Sequence, residues 1–289
     1  MKSIPSLFFL VLVLAAPLPG RADSLTASFG DLILGFQASS GTGAATNLEV
    51  DLGSIAKYSG QPAGTTFTIG GLSVQDLIDV FGSDWNTRDD LTWGIAGTTG
   101  STQSLSVNGT TVAAKTLWGS RAETTAGVQS TPWNRGTTFA QQGPANTISS
   151  LYTGPTGSLN GKTSTANSLT AAALDNTVVG SWTQQEGTSA AAFGYFNPVG
   201  TFNNGVNFTT IVGTFAVSDL YQLQPGSGAA TYIGSFGLTS AGLLEFSNSV
   251  AAFAVVVPEP ATHAVLAGAM VLGLGLVRRR RADGAVPAT

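Results

Sequence analysis

The chain has 289 residues and a formal net charge of −4, and only 10% of its residues are charged, against about 25% in an average globular protein. It has no cysteine and one histidine, His263, which excludes disulfide scaffolds, thiolate metal sites and any centre that needs two imidazoles. Nucleic-acid binding is also disfavoured, because it needs many Lys and Arg side chains facing phosphates.

The N-terminus, residues 1–22, has the pattern of a secretory signal peptide. A positive start at Lys2 precedes a dense apolar core over residues 7–14. This core is too short for a membrane span, which takes about 20 apolar residues. Ala22 and a second small residue two positions earlier place the predicted cleavage between Ala22 and Asp23.

A passenger over residues 23–256 follows, with 6 basic and 14 acidic residues. Short apolar–polar alternations separated by Gly, Ser, Thr and Asn are typical of β-strands. In chain order, the predicted strands cover residues 25–29, 31–36, 47–52, 66–69, 91–95, 191–196, 209–217, 231–238, 243–246 and 250–257. The fold class predicted from this pattern is all-β, an antiparallel β-sandwich, with a jelly roll as one form of it.

Three further segments refine this prediction. Ser73 as a cap and an apolar side ending at Phe81, before Gly82, predict one short helix. Asn108-Gly109 between apolar residues predicts a tight hairpin. Residues 119–167 have no clear period, so they are either an exposed, loop-rich functional insertion or a segment whose short strands the pattern does not reveal.

A cluster of side chains with oxygen ligands follows the predicted helix. It consists of three carboxylates and one amide: Asp84, Asn86, Asp89 and Asp90. Such oxygen ligands suit calcium, although the spacing lacks the glycine and the closing glutamate of an EF-hand. Solvated turn acids, one of them paired with Arg88, are the simpler interpretation. No cofactor is expected, and the passenger has no histidine for a Ser-His-Asp triad.

The tryptophans are the other candidate binding groups. Trp93 belongs to an apolar strand pattern and is predicted to lie in the core. Trp118, Trp133 and Trp182 lie in polar, glycine-rich surroundings, which favours exposure and predicts stacking on sugar rings.

The C-terminus carries three features in a fixed order. A Val257-Pro258-Glu259-Pro260 motif comes first, and an apolar segment over residues 261–277 follows it. Four arginines end the segment: Arg278, Arg279, Arg280 and Arg281. The segment is at the lower limit of a membrane span, and the arginines would hold its end in the cytoplasm. The pattern therefore predicts a stop-transfer segment, with residues 283–289 as a short cytoplasmic tail.

Residues 257–282 resemble the PEP-CTERM sorting tail, the signal that exosortases recognise in their substrates. The resemblance implies recognition by a membrane-embedded exosortase, cleavage near the Pro-Glu-Pro motif, and delivery to the cell surface or an extracellular matrix. A plain single-pass anchor with a coincidental motif is the alternative.

The sequence thus predicts a non-enzymatic exported protein, tethered to the inner membrane before processing and then located at the surface or in a biofilm matrix. Its expected partners are the exosortase, the membrane and an exopolysaccharide or other surface glycan, with no nucleic acid. Two alternatives stay open: a secreted carbohydrate-binding module and a carboxylate-based glycan hydrolase.

Overall fold

The computed structural model describes residues 24–123, 125, 127–154, 158–187 and 215–253. The predicted signal peptide, its cleavage site, the sorting tail, the cytoplasmic end and the strand predicted at 191–196 lie outside these ranges.

The described part of the chain is mainly β, which confirms the predicted class. The strands are β1 (Asp31–Ala38), β2 (Thr46–Ser54), β3 (Thr66–Ile69), β4 (Leu91–Thr98), β5 (Leu105–Val107), β6 (Thr110–Val112), β7 (Leu117–Ala122), β8 (Ala171–Asp175), β9 (Phe215–Leu223), β10 (Thr231–Thr239) and β11 (Leu244–Ser247). The helices are α1 (Val74–Phe81) and α2 (Gln142–Thr153). Nine of the strands form one antiparallel sheet in the order β3-β11-β10-β9-β7-β4-β1-β2-β8, and β5 pairs with β6 apart from it.

The large sheet is strongly curled. Four strands separate β2 from β10 in the sheet, which would place them about 24 Å apart if the sheet were flat. Tyr58, which follows β2, nevertheless contacts Phe236 of β10 and Phe246 of β11, with ring centroids 5.3 and 5.1 Å apart. The curl therefore encloses one hydrophobic core on the side of these rings, which we call the inner face.

Strand alternation gives the sheet a second buried side, the outer face. Leu34 of β1 points into the inner core, whereas its neighbour Ile33 belongs to a separate outer cluster. Helix α2 supplies Ile148 and Leu151 to that cluster. Both faces of the sheet are thus covered, which is why its strands contain long runs of buried residues.

Two local predictions are confirmed. Helix α1 begins after Ser73, whose hydroxyl accepts a hydrogen bond from Gln75 N at 3.2 Å, and it ends at Gly82 with φ +93°. The β5–β6 hairpin turns at Asn108-Gly109, with φ values of +49° and +79°. Both positive values fit the two-residue hairpin turn that this dipeptide favours.

Three other predictions need correction. The 119–167 region contains the end of β7 and all of α2, so it is not simply loop-rich. The strand predicted at 250–257 is instead a 3₁₀ turn over Val250–Phe253 in its described part. Residues 25–28 form no regular strand, because Leu25 and Ala27 are buried by contacts of an irregular segment with residues 160–162.

Candidate functional site

The three tryptophans predicted to be exposed are buried. Trp118, Trp133 and Trp182 are 0%, 2% and 1% exposed, and Trp93 is buried as expected. Trp118 lies in the inner core, and the other two lie in the outer cluster. The prediction of exposure is therefore wrong, and these rings offer no open face on which a sugar could stack. The polar residues next to these tryptophans in sequence do not indicate exposure, because the apolar side chains that bury the rings come from distant parts of the chain.

The carboxylates after α1 serve a structural role. The Arg88 guanidinium donates to both oxygens of Asp90, at 2.9 Å from Nε and 2.7 Å from Nη2, and this ion pair lowers the pKa of Asp90 below its usual range. Asn86 Nδ2 donates to the carbonyl of Ser240 at 2.8 Å. No three acidic, His or Cys side chains converge as metal ligands within the described residues. The predicted pairing of one of these acids with Arg88 is confirmed, whereas calcium binding by Asp84, Asn86, Asp89 and Asp90 stays a prediction.

The structure instead brings together two other carboxyls, Glu123 and Asp219. Glu123 directly follows β7, and its backbone N–H donates to Val217 O of β9 at 3.0 Å. Asp219 lies in the middle of β9, opposite Arg121 of β7 in the register. Both side chains lie on the outer face, where Glu123 is 3% exposed and Asp219 0%. Adjacent strands thus make neighbours of two acids that are far apart in sequence.

Both carboxyl oxygens of Asp219 accept a hydrogen bond, whereas only one oxygen of Glu123 does. Asp219 Oδ1 accepts from Ser235 Oγ, and Oδ2 accepts from the backbone N–H of Ser130, each at 2.6 Å. Because the Ser235 hydroxyl proton is used in this way, the hydroxyl of Tyr232, 2.7 Å away, donates to Ser235 Oγ. Glu123 Oε2 accepts from Gly127 N at 2.9 Å, whereas Oε1 is buried without a hydrogen-bond donor among the described residues.

Burial and a neighbouring acid determine the electrostatics of Glu123. Glu123 directly follows β7, Asp219 lies on the neighbouring strand β9, and both side chains are closed to solvent. Burial, followed by the negative charge of Asp219, raises the pKa of Glu123 to about 8. Burial and the neighbouring negative charge therefore favour the protonated form of Glu123.

A third buried carboxyl, Glu49 of β2, holds the segment around Trp182 to the same face. Glu49 Oε1 accepts from the backbone N–H of Trp182 at 2.6 Å, and Asn47 Oδ1 accepts from that of Thr183 at 2.8 Å. Glu49 Oε2 is buried and finds no partner in the described part of the chain. Burial raises the pKa of Glu49 well above its ordinary value and thus favours the neutral form of the group.

These carboxyls attach segments of the chain to the outer face of the sheet, because each accepts a backbone N–H from such a segment. Glycoside hydrolysis uses two carboxyls about 5 Å or more apart with a sugar between them. Glu123 and Asp219 are both closed to solvent. The sequence did contain a signal for the burial of Asp219. In a strand, Asp219 shares one face with Val217 and Tyr221, and this apolar setting indicates burial.

No protein-family model, curated protein or solved structure matches this chain. Among the described residues, none of the helices has the length and apolar character needed to cross a membrane.

Proposed function

We propose that this protein is exported, processed at its Pro-Glu-Pro tail by an exosortase, and placed at the cell surface or in the extracellular matrix in a non-catalytic structural role. The observation that carries the proposal is the order of features over residues 257–281: motif, apolar segment and arginine cluster. Each feature alone is common, whereas the three together match what a sorting enzyme in the membrane needs.

The described fold is consistent with a passenger bounded by those signals. Near its start, Ser24 forms an isolated bridge with Thr163, and Leu25 N donates to Lys162 O at 2.9 Å. Near its end, the ring of Phe253 packs on that of Phe215 at 4.9 Å between centroids. Both ends of the passenger are thus anchored within a few residues of the predicted cleavage site and the sorting motif.

The proposed role is to provide a stable, acidic, β-rich unit rather than a catalyst. The curl of the sheet supports a sandwich-like arrangement in which its two halves face each other over the inner core. Burial of Trp118, Trp133 and Trp182 removes the main support for sugar stacking. We therefore favour a structural role over the carbohydrate-binding alternative, with exopolysaccharide as the surrounding matrix.

Intact mass measurement on the protein from membrane, surface and medium fractions of its native host tests the proposal. We expect a surface or medium species that begins at Asp23 and ends near Pro258. Replacing Pro258 and Pro260 together by Ala should leave the arginine cluster attached and the protein in the membrane. Pro62→Ala, in an exposed loop of the passenger, is the matched control and should be processed normally.

Two results would overturn the proposal. One is a wild-type protein that keeps all four arginines and occurs only in the membrane, which indicates an ordinary anchor. The other is normal processing of the double proline variant, which shows that the motif is not what the sorting enzyme reads.

A further inference from the structure

The sequence contains Asn-Gly pairs at residues 108–109, 160–161 and 204–205. An asparagine before glycine is prone to spontaneous deamidation, because glycine has no side chain that would hinder attack by its backbone nitrogen. The first two pairs lie in the described part of the chain, and the structure places them in opposite environments. They can therefore be compared as reaction sites within one fold.

At Asn160, the groups that would have to move are held. Asn160 Oδ1 accepts from Ala27 N at 2.9 Å, and Nδ2 donates to Ala27 O at 3.1 Å. The nitrogen of Gly161, which would attack the side chain, donates to Leu25 O at 2.8 Å. The side-chain amide and the attacking nitrogen are thus both fixed to the irregular segment near the start of the passenger.

The hairpin turn at Asn108 leaves the attacking nitrogen open. Asn108 and Gly109 are both exposed, and the N–H of Gly109 donates to no other backbone group of the described residues. A Cβ built on Gly109 would meet nothing within 4 Å, so this part of the turn has no steric cover. The side chain of Asn108 is held through Nδ2, which donates to the carbonyls of Ala56 and Ser59 at 3.0 and 2.8 Å.

Local opening of this turn is the motion that deamidation requires. Strands β5 and β6 have three residues each, and they form a two-stranded sheet apart from the large one. A two-stranded hairpin is only marginally stable by itself. The turn can therefore open while the large sheet stays folded, and the opening lets the Gly109 nitrogen reach Cγ of Asn108.

We propose that Asn108 is a deamidation site and that its modification releases the β5–β6 hairpin from the segment after β2. The Gly109 nitrogen bonds to Cγ of Asn108, the Cγ–Nδ2 bond breaks, and ammonia leaves with the proton of the Gly109 nitrogen. Water then opens the resulting succinimide at either of its carbonyls, which gives aspartate or isoaspartate. The reaction consumes only water, and the proposal is independent of the proposed sorting.

The product cannot make the docking contacts of the amide. Nδ2 is a hydrogen-bond donor, whereas an ionised carboxylate only accepts. After the reaction, negatively charged oxygens face the carbonyl oxygens of Ala56 and Ser59, and both hydrogen bonds are lost. Attraction at this contact thus becomes repulsion, which undocks the hairpin.

Peptide mapping by mass spectrometry tests the site on the full chain, kept folded in mild detergent at pH 8. We expect deamidation at residue 108 to be at least about tenfold faster than at residue 160, because the turn opens locally whereas Asn160 is released only with a larger part of the fold. Asn160 is the internal control, since glycine follows it as well. In urea the two sites should react at similar rates. Isoaspartate among the products at residue 108 distinguishes cyclisation from direct hydrolysis of the amide.

Two variants test the release by hydrogen exchange. Asn108→Asp reproduces the aspartate product, and exchange in the peptide over residues 104–113 should become at least about tenfold faster than in the wild type, because two hydrogen bonds are lost. Asn108→Gly loses the same bonds without adding a charge, so its exchange rate should lie between those of the other two proteins. Peptides from β9 and β10 should exchange as in the wild type. Aged wild-type protein that has reacted at residue 108 gives the same readout if Asn108→Asp folds poorly.

Three outcomes would overturn the proposal. The first is equal deamidation at residues 108 and 160 of the folded chain, which would show that the fold does not select the site. The second is reaction at residue 108 in urea but not in the folded chain, which would show that the two carbonyl contacts protect the amide. The third is wild-type exchange of the hairpin in Asn108→Asp, which would show that the modified hairpin stays docked.

Discussion

Trp182 lies against a part of the sheet that has no side chains of its own. A Cβ added at Gly35 would overlap the indole ring, and one added at Gly94, which is paired with Gly35, would lie 3.3 Å from Trp182 Cζ2. The two glycines thus form a flat platform on the outer face, and Glu49, opposite Gly35 on the next strand, binds the backbone of Trp182 beside it. Here glycine provides space for a large ring and is not serving as a turn residue.

We expect Gly35→Ala to lower the free energy of unfolding by about 1–3 kcal/mol or more, because a methyl group must displace the packed ring. Gly70→Ala is the matched control, because an added Cβ there meets nothing within 4 Å, and its effect should be close to zero. Urea denaturation of both variants checks this. Equal stability of the two would show that Trp182 does not depend on the platform.

Arg88 joins more groups than its ion pair with Asp90 alone. Its Nη1 donates to the carbonyls of Thr42 and Phe81, each at 2.7 Å, and its Nη2 donates to that of Ser40 at 2.7 Å. One guanidinium therefore fastens the β1–β2 loop to the end of α1, which a Lys cannot reproduce because it lacks the planar fork.

From these contacts we expect Arg88→Lys to destabilise the fold by about 1–3 kcal/mol. Asp90→Asn should cost less, because it leaves all three carbonyl contacts in place. Thermal or urea denaturation shows which of the two variants loses more stability. If Asp90→Asn proves the more costly, the charge pair and not the carbonyl network holds this region together.

At the scale of elements, the β5–β6 hairpin is attached to the segment after β2 by its turn residue. Asn108 Nδ2 donates to the carbonyls of Ala56 and Ser59, at 3.0 and 2.8 Å. The same residue adopts a left-handed backbone conformation with φ +49°. Asn108 therefore shapes the hairpin and also docks it.

The two roles can be separated by substitution. Asn108→Gly removes the two hydrogen bonds but accepts the backbone conformation, whereas Asn108→Ala loses both. We expect the Ala variant to be less stable than the Gly variant by about 1 kcal/mol, the cost of a left-handed residue that has a Cβ. Denaturant titration measures the difference, and equal stabilities would mean that the turn relaxes to another conformation.

Across the whole molecule, the covered outer face gives the fold an unusual dependence on pH. Burial raises the pKa of Asp31 and Glu49, that of Asp51 to about 6, and that of Glu123 to about 8. In the unfolded chain these carboxyls lose their protons near pH 4. At pH values between 4 and the raised pKa of each group, the folded state therefore binds more protons than the unfolded state does. Stability from these groups is therefore greatest at low pH and falls as pH rises through 6 and 8.

We expect the midpoint of thermal unfolding to fall from pH 5 to pH 9. Glu49→Gln keeps an oxygen that can accept from Trp182 N but cannot ionise, so its midpoint should fall less over this range. Glu245→Gln serves as the control and should follow the wild type. A wild-type midpoint that rises from pH 5 to pH 9 would contradict the raised pKa values of these carboxyls in the folded state.

The sequence by itself determined the local structure where short-range rules dominate. Period-two alternation located β2 and β3, short apolar runs located β1 and the β10–β11 hairpin, Ser73 and Gly82 bounded α1, and Asn108-Gly109 set a turn. These features depend on the chemistry of residues a few positions apart, so neighbours in sequence suffice to predict them. The order of features in the tail is likewise a property of sequence alone, and the sorting prediction rests on it.

Only the tertiary structure decided which polar-looking faces are buried. Asn47 and Glu49 read as part of a solvent face of β2, yet both are covered by the segment around Trp182. Glu123 and Asp219 become partners because β7 and β9 are adjacent in the sheet despite the long stretch of chain between them. Burial and strand order are set by contacts between distant segments, and a local pattern cannot show what will pack against it.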